Sequence, residues 1–303
     1  MDSSSALSTR GLSKRFGSVT AVADLTLEIS RGEIFGFLGP NGAGKTTSVK
    51  MIAGLAAPSG GTGTLLGLPL GDRRARRHLG YLPELFRYQP WLTAYEVLVL
   101  HARLAGCSGE RKTLNALLER VGLIERRSAR VDTFSKGMQQ RLGLAVALIG
   151  DPQFVLLDEP TSALDPLGRQ EVRELLRDLK ARSTTVFLNS HLLSEVEQVC
   201  DRVAFVTRGR IVAQGTLEEI AGAQRGVRVS AQAGRSPIAQ LLQRFGNVHP
   251  NGKSVLVEGA GPKSVPALVR ALVDDGAEVF AVEPVAATLE QRFFELTGGG
   301  GTQ

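Results

Sequence analysis

The apolar residues of this chain follow two patterns, short continuous runs and longer stretches with helical spacing. The short runs, typical of strands buried on both faces, lie at Ile34–Leu38, Phe154–Leu157, Val186–Leu188 and Val203–Val206, and another strand-like segment lies at Leu25–Ile29. Between Pro83 and about Gly150 the spacing is helical instead, as in the series Val97, Leu98, Leu100 and Leu104. Strands that alternate with helices predict an α/β fold with a largely parallel sheet, and residues 83–150 are predicted to be an inserted helical subdomain.

The pattern changes after about Gly222, and Gln224–Gly226 marks a predicted domain boundary. Beyond it lie strand-like segments at Val227–Val229, Ser254–Glu258 and Glu278–Val282 and helical segments at Pro237–Phe245, Lys263–Asp274 and Ala287–Leu296. Residues 223–303 are therefore predicted to form a small α+β domain that closes in a flexible tail, Gly298–Gly301. Residues 7–222 form the larger predicted domain.

Composition and charge add expectations about location and partners. Apolar residues make up 43% of the chain, which permits a sizeable core, and the net charge is +6. Arginines cluster at Arg73–Arg77 and Arg126–Arg130, either as solvated loops or as a surface for nucleic acid or anionic lipid. No apolar run approaches the roughly 18 residues that cross a bilayer, the N-terminus lacks the apolar segment of a secretory signal, and the cysteines, Cys107 and Cys200, are few and far apart. We therefore expect a cytoplasmic protein with reduced thiols.

The strongest motif lies between the run Ile34–Leu38 and a helix predicted to begin at about Gly44. It has the form G-x-x-x-x-G-K-T and comprises Gly39, Pro40, Asn41, Gly42, Ala43, Gly44, Lys45, Thr46 and Thr47. Glycines let backbone amides approach phosphate groups, and the following helix presents its N-terminal dipole to them. We expect Lys45 to reach the β- and γ-phosphates and the Thr46 hydroxyl to bind Mg²⁺. The alternative is a glycine-rich turn that binds nothing.

Two adjacent carboxylates end the apolar run Phe154–Leu157. Asp158 at the end of a strand would lie beside a metal ion, and Glu159 could then polarise an attacking water as a general base. An acidic turn after a buried strand is the other interpretation of this pair.

The segment Phe134–Leu142 reads F-S-K-G-M-Q-Q-R-L, and with the preceding motifs it resembles the ATP-binding-cassette family, whose signature has the form L-S-G-G-Q-Q-Q-R. The resemblance covers about residues 7–222. It implies that Ser135 and Gly137 contact the γ-phosphate of an ATP bound by a partner subunit. The S-K-G-M variant, with Lys136 in place of a glycine, is similar to the exporter branch of the family. By itself, this element would indicate only a serine that caps a helix.

The resemblance also implies a fold and further site residues. The fold is a P-loop NTPase cassette with a mostly parallel sheet, an antiparallel N-terminal β part and the inserted helical subdomain. By the same resemblance, Asp165 lies in a loop at a dimer interface, His191 contacts the γ-phosphate, and Phe16 stacks on adenine. A structural histidine and a core or turn phenylalanine are the alternatives for the last two residues.

One position departs from the family pattern. Glu84 stands where the family usually has glutamine, in the segment Gly80–Glu84. A carboxylate can still bind Mg²⁺ or the water, although its charge is unfavourable beside a phosphate. The resemblance further implies that Tyr88–Leu92 face a membrane partner. Near the C-terminus, the cluster Phe293, Phe294 and Leu296 indicates a packing or dimer-contact face.

These features together predict an ATPase that uses ATP and Mg²⁺. The resemblance implies two ATP-binding subunits that meet head to tail and drive export through a transmembrane permease on a separate chain. We expect the two ATP-binding subunits to be a homodimer. The protein would then be peripheral on the cytoplasmic face of the inner or plasma membrane, without direct contact to nucleic acid. A soluble ATPase of the same family that acts on nucleic acid or ribosomes is the main alternative, and an ATP-sensing module is a third. The sequence does not identify the cargo.

Overall fold

A computed structural model describes residues 5–221, 226–252, 254–285 and 289–297. The chain divides into two compact units, a larger one that extends to Leu217 and a smaller one formed by Glu218–Glu295. Most of the predicted boundary Gln224–Gly226 lies outside the described residues, as do the predicted tail Gly298–Gly301 and the first two residues of the predicted helix Ala287–Leu296.

The larger unit contains a sheet with ten strands among the described residues. Its strands are β1 Ser5–Phe16, β2 Val19–Ser30, β3 Ile34–Leu38, β4 Gly60–Leu65, β5 Leu68–Pro69, β6 Leu79–Leu82, β7 Phe154–Asp158, β8 Thr185–Asn189, β9 Arg202–Thr207 and β10 Arg210–Thr216. Their spatial order is β5-β4-β1-β2-β10-β9-β3-β8-β7-β6. Strands β9, β3, β8, β7 and β6 are parallel, whereas β5, β4, β1 and β2 are antiparallel. The predicted α/β fold, with a mostly parallel sheet and an antiparallel N-terminal part, is confirmed.

Helices join and cover these strands. They are α1 Lys45–Ile52, α2 Arg73–Arg76, α3 Ala94–Leu104, α4 Arg111–Arg120, α5 Lys136–Ala147, α6 Pro166–Ala181 and α7 Leu193–Val199. The next helix, α8 Leu217–Ala221, lies almost entirely in the smaller unit. The inserted helical segment, predicted over 83–150, contains α3, α4 and α5 between β6 and β7. Its first helix begins later than the periodicity predicted, because Thr93 and Glu96 form a capping box that starts α3 at Ala94. Two prolines, Pro83 and Pro90, precede that cap in a segment without regular helix.

A core of the larger unit joins the parallel strands to β1, β2 and α1. Every residue of β3, β7 and β8 is buried, which explains why these strands are continuous apolar runs without alternation. The rings of Phe37 and Phe187 pack 5.1 Å apart between neighbouring strands. This fully buried sheet fixes the positions of the loops that follow its carboxyl ends.

The smaller unit is an α+β fold with its own core. Its elements are β11 Gly226–Gln232, α9 Ile238–Leu242, β12 Asn247–Asn251, β13 Ser254–Glu258, α10 Val265–Asp274 and β14 Glu278–Val285, followed by α11 Leu289–Thr297. The sheet order is β12-β13-β11-β14, and all neighbours are antiparallel. This connectivity is the split βαβ, or ferredoxin-like, arrangement. Val227, Val229 and Val257 pack with helix residues Leu242, Leu268 and Leu272 in its core.

None of the helices in the described ranges combines the length and the apolar character that a membrane crossing needs. Within α11, the rings of Phe293 and Phe294 meet edge to face with centroids 6.1 Å apart.

Candidate functional site

The glycine-rich segment after β3 forms a tight loop that leads into α1. A Cβ atom on Gly39 would lie 2.3 Å from the carbonyl oxygen of Val206, so only glycine fits there. Gly44 has a φ of +95°, and a Cβ on it would lie 2.3 Å from the carbonyl oxygen of Ala21. No side chain caps the N-terminus of α1, which leaves its first amides free to bind an anion. The loop is therefore packed closely against neighbouring backbone, and it leads directly into a helix N-terminus with free amides.

Lys45 follows this loop in sequence, and its side chain hydrogen-bonds to the backbone of the loop. Its Nζ donates hydrogen bonds to the carbonyl oxygens of Gly39 at 2.7 Å and Pro40 at 3.2 Å, and the residue is only 8% exposed. Burial lowers the pKa of the Lys45 amine, whereas the nearby carboxylates of Glu159, Asp158 and Glu84 raise it. The predicted phosphate-binding lysine is thus surrounded by the three predicted carboxylates. Thr46 follows it, half-buried in the first turn of α1.

Asp158 ends β7 beside Asn189, which ends the parallel neighbour β8. The Asn189 side chain donates a hydrogen bond from Nδ2 to Asp158 Oδ1, and the backbone N–H of Glu84 donates to the same carboxylate. Burial raises the pKa of Asp158, and the Asn189 hydrogen bond opposes that shift. The structure therefore brings Asp158 and Glu84 together at the carboxyl edge of the sheet, as expected for a shared metal site.

Glu159 is held in a strained conformation by its neighbours. Its φ of +55° is unusual for a residue with a side chain. Its backbone N–H donates to the carbonyl of Asn189 at 2.9 Å, and its carbonyl accepts from Gln140 Nε2 at 3.2 Å. Its Oε2 lies 2.7 Å from His191 Nδ1. Burial raises the pKa of the Glu159 carboxyl, and the His191 contact lowers it in opposition.

This geometry points the Glu159 carboxylate at a ring that a ligand can reach. The His191 side chain is 55% exposed, whereas that of Glu159 is 9% exposed. A buried carboxylate with a raised pKa and a histidine partner is the arrangement of a general base held in one orientation.

The predicted signature residues line a separate depression of about 520 Å³. Ser135 caps α5 by accepting a hydrogen bond from the Met138 N–H at 3.2 Å, and Gly137 lies in the first turn. Asp165 caps α6 by accepting from the Gly168 N–H at 2.9 Å. Ser135, Gly137 and Asp165 therefore share one surface, which also carries the cations of Lys136 and Arg126. The depression and the phosphate loop are built from different elements of the chain.

Phe16 ends β1 with an exposed ring, and the Lys14 ammonium lies 5.1 Å from the ring centroid. An exposed aromatic face of this kind can stack on a planar ligand. Sequence reasoning missed Gln140 and Asn189, which contact the two acidic residues directly. Gln140 lies inside the signature segment, and Asn189 is an amide at the end of a buried apolar run, so each carried a signal.

The donor groups at the sheet edge fit a magnesium ion that arrives with a nucleotide. Mg²⁺ is usually bound by one or two carboxylates together with phosphate oxygens and water. Within the part of the chain that the structure describes, no group of three or more His, Cys, Asp or Glu side chains could hold a metal by itself. Asp158 and Glu84 supply carboxylate oxygens close to Lys45 of the phosphate loop.

Known proteins share both the sequence and the fold. A family model described as ABC transporter matches residues 22–162. An uncharacterized ABC transporter ATP-binding protein of Synechocystis is 40% identical over 91% of this chain and 78% of its own length. The Nod factor export ATP-binding protein I of Rhizobium etli is 35% identical over 95% and 92%. A dimeric ATP-binding cassette, solved in a post-hydrolysis state with ADP and Pi, superimposes with a TM-score of 0.65 at 26% identity, over 70% of this chain and 99% of the other.

Proposed function

The chain belongs to the family of ABC transporter ATP-binding proteins, and from this membership we propose that it drives export through a transmembrane permease on a separate chain. ATP binding and ATP hydrolysis belong to the family itself. Export is supported by the relative from Rhizobium etli, which is named for export and matches nearly the whole chain. The observation that carries ATP hydrolysis as the source of energy is the cluster of Lys45, Asp158 and the Glu159–His191 pair at one edge of the sheet.

In the proposed mechanism, the phosphates of ATP take over the contacts that Lys45 makes with its own loop. The free amides of α1 and the Lys45 ammonium then bind the β- and γ-phosphates together. Bound Mg²⁺ would neutralise phosphate charge, held by Asp158, Thr46 and Glu84. Phe16 stacks on the adenine ring.

Glu159 accepts the proton of the attacking water. A raised pKa brings the Glu159 carboxyl closer to the working pH, and a stronger base removes a proton more readily. The His191 contact at 2.7 Å fixes the direction of the carboxylate, and the exposed part of the His191 ring faces the γ-phosphate.

A second copy completes the site in this proposal. The signature depression combines a helix N-terminus with the cations of Lys136 and Arg126, which suits the γ-phosphate of another subunit. Two chains that meet head to tail place Ser135 and Gly137 of each copy over the phosphate loop of the other. The cassette described above, which was solved as a dimer with ADP and Pi, is a structural precedent for a dimer.

The permease contact is proposed for the irregular segment before α3. Leu85 is 87% exposed and Trp91 is 66% exposed, and large apolar side chains this open suit a protein interface. With this segment on a permease, the protein lies on the cytoplasmic face of the membrane.

The dimer is tested by measuring the mass of the Glu159→Gln variant in solution with and without ATP. We expect ATP to convert monomer to dimer, because the variant binds ATP without hydrolysing it. Adding Ser135→Arg to that variant should prevent dimer formation, since a bulky side chain fills the signature depression. A monomer at saturating ATP in the Glu159→Gln protein would contradict the head-to-tail arrangement.

A further inference from the structure

Asn189 is buried next to both acidic residues of the candidate site and contacts each of them. Its side chain is 1% exposed. Nδ2 donates to Asp158, and the backbone carbonyl accepts from the Glu159 N–H at 2.9 Å. Asn189 of β8 therefore fixes both the direction of the Asp158 carboxylate and the position of the Glu159 backbone.

The remaining polar atom of Asn189 lacks a donor. Among the described residues, none provides a hydrogen bond to Oδ1, which is fully buried. A flipped amide would not solve this, because the Asp158 carboxylate accepts hydrogen bonds and an oxygen facing it would be repelled. Leaving such an acceptor unpaired costs about 1–3 kcal/mol, so the amide of Asn189 is kept beside the acidic residues at a cost in stability.

We propose that Asn189 is a positioning residue for the metal–nucleotide complex. Its Nδ2 holds Asp158 in the orientation that binds the metal, and its backbone carbonyl holds the adjoining backbone of Glu159. This inference rests on the proposed function, because it requires that Asp158 faces the metal.

The chain offers a matched control for this residue. Asn115 in α4 is the other described asparagine with a buried Oδ1 that has no hydrogen-bond partner. It lies in the helical segment, away from the carboxyl edge of the sheet. Asn115→Ala therefore removes the same chemical group without touching the candidate site.

The test is a Mg²⁺ titration of the full chain with a fluorescent, non-hydrolysable ATP analogue held at a fixed concentration. The measured quantity is the Mg²⁺ concentration that gives half of the maximal nucleotide binding. Removing a residue that orients a metal ligand weakens metal affinity about 10- to 100-fold. We expect Asn189→Ala to raise the half-point at least about ten-fold, while nucleotide binding in EDTA and the half-point of Asn115→Ala stay at the wild-type values.

Asn189→Ser guards against a folding defect, because serine keeps a polar group but is too short to hold Asp158. We expect the same direction of shift in this variant, checked alongside its unfolding temperature. A wild-type half-point in folded Asn189→Ser would overturn the inference. Asp158→Asn distinguishes a failure of the Asn189 inference from a failure of the proposed metal site. If Asp158→Asn shifts the half-point and the Asn189 variants do not, only the role of Asn189 fails. If Asp158→Asn has no effect, the proposed metal site fails as well.

Discussion

A pair of glycine substitutions tests whether the phosphate loop depends on backbone conformation alone or on close packing. Gly42 and Gly44 both have positive φ, at +78° and +95°. A Cβ on Gly42 would meet nothing within 4 Å, whereas a Cβ on Gly44 would lie 2.3 Å from the carbonyl oxygen of Ala21. Alanine at these two positions therefore separates the cost of a left-handed backbone conformation from the cost of steric overlap with packed backbone.

The expected magnitudes follow from those contacts. A left-handed conformation costs an alanine about 1–2 kcal/mol, and the stiffer unfolded chain returns about 0.4–1 kcal/mol. Gly42→Ala should thus lower the free energy of unfolding by about 1 kcal/mol. Gly44→Ala adds the displacement of packed backbone, and overpacking costs about 1–3 kcal/mol more. We expect a total of about 2–4 kcal/mol for Gly44→Ala.

Urea denaturation of the two purified variants, followed by far-UV circular dichroism without nucleotide, measures both free energies. Because the chain has two units, the transition of the larger one is analysed. Fluorescent ATP binding should fall at least about ten-fold in Gly44→Ala, since about 1.4 kcal/mol of loop displacement already costs that factor. Equal destabilisation by the two substitutions would refute the close-packing argument.

Three further predictions concern the acidic pair and its contacts. Since burial raises the pKa of Glu159, ATPase activity should rise with pH through a midpoint above that of an ordinary glutamate. His191→Ala removes a contact that lowers this pKa, so rate measurements should show the midpoint moving to higher pH, and an unmoved midpoint would count against the pairing. Gln140→Leu removes a hydrogen-bond donor to the Glu159 carbonyl, which is worth about 1 kcal/mol. It should lower kcat about five-fold with little change in KM. A change confined to KM would contradict a role of Gln140 in positioning Glu159. Glu159→Gln should raise the unfolding temperature at pH 7 but not at pH 4. A carboxyl whose pKa is raised by folding destabilises the folded protein only when the pH exceeds the pKa of the unfolded chain. An equal gain in unfolding temperature at both pH values would contradict burial of the Glu159 charge as the cause.

The parallel half of the fold could be predicted from the hydrophobic pattern alone, whereas the antiparallel N-terminal part was expected mainly from the family resemblance. Strands β3, β7 and β8 are buried on both faces and therefore stand out as apolar runs. Strand β1 carries many polar residues, and its pairing with β2 shifts register between Thr9 and Leu12, so no regular alternation marks it. In the smaller unit, β12 was missed because it contains Pro250 and Val248 is its single strand-forming apolar residue.

The candidate site was predictable where residues follow the ends of neighbouring strands. Asp158 ends β7, while Lys45 and His191 follow β3 and β8, and parallel strands bring those ends to one edge. The contacts made by Asn189 and Gln140 were not predictable, because they depend on strand register and on the placement of α5 against the end of β7.

The central claim is that Glu159 serves as the base of an ATPase, and phosphate release under single-turnover conditions tests it most directly. We expect the wild-type protein to release phosphate from bound ATP. Glu159→Gln should bind ATP with similar affinity and release phosphate at least about 100-fold more slowly, because loss of a general base typically costs that factor. Phosphate release by Glu159→Gln at the wild-type rate would contradict the account.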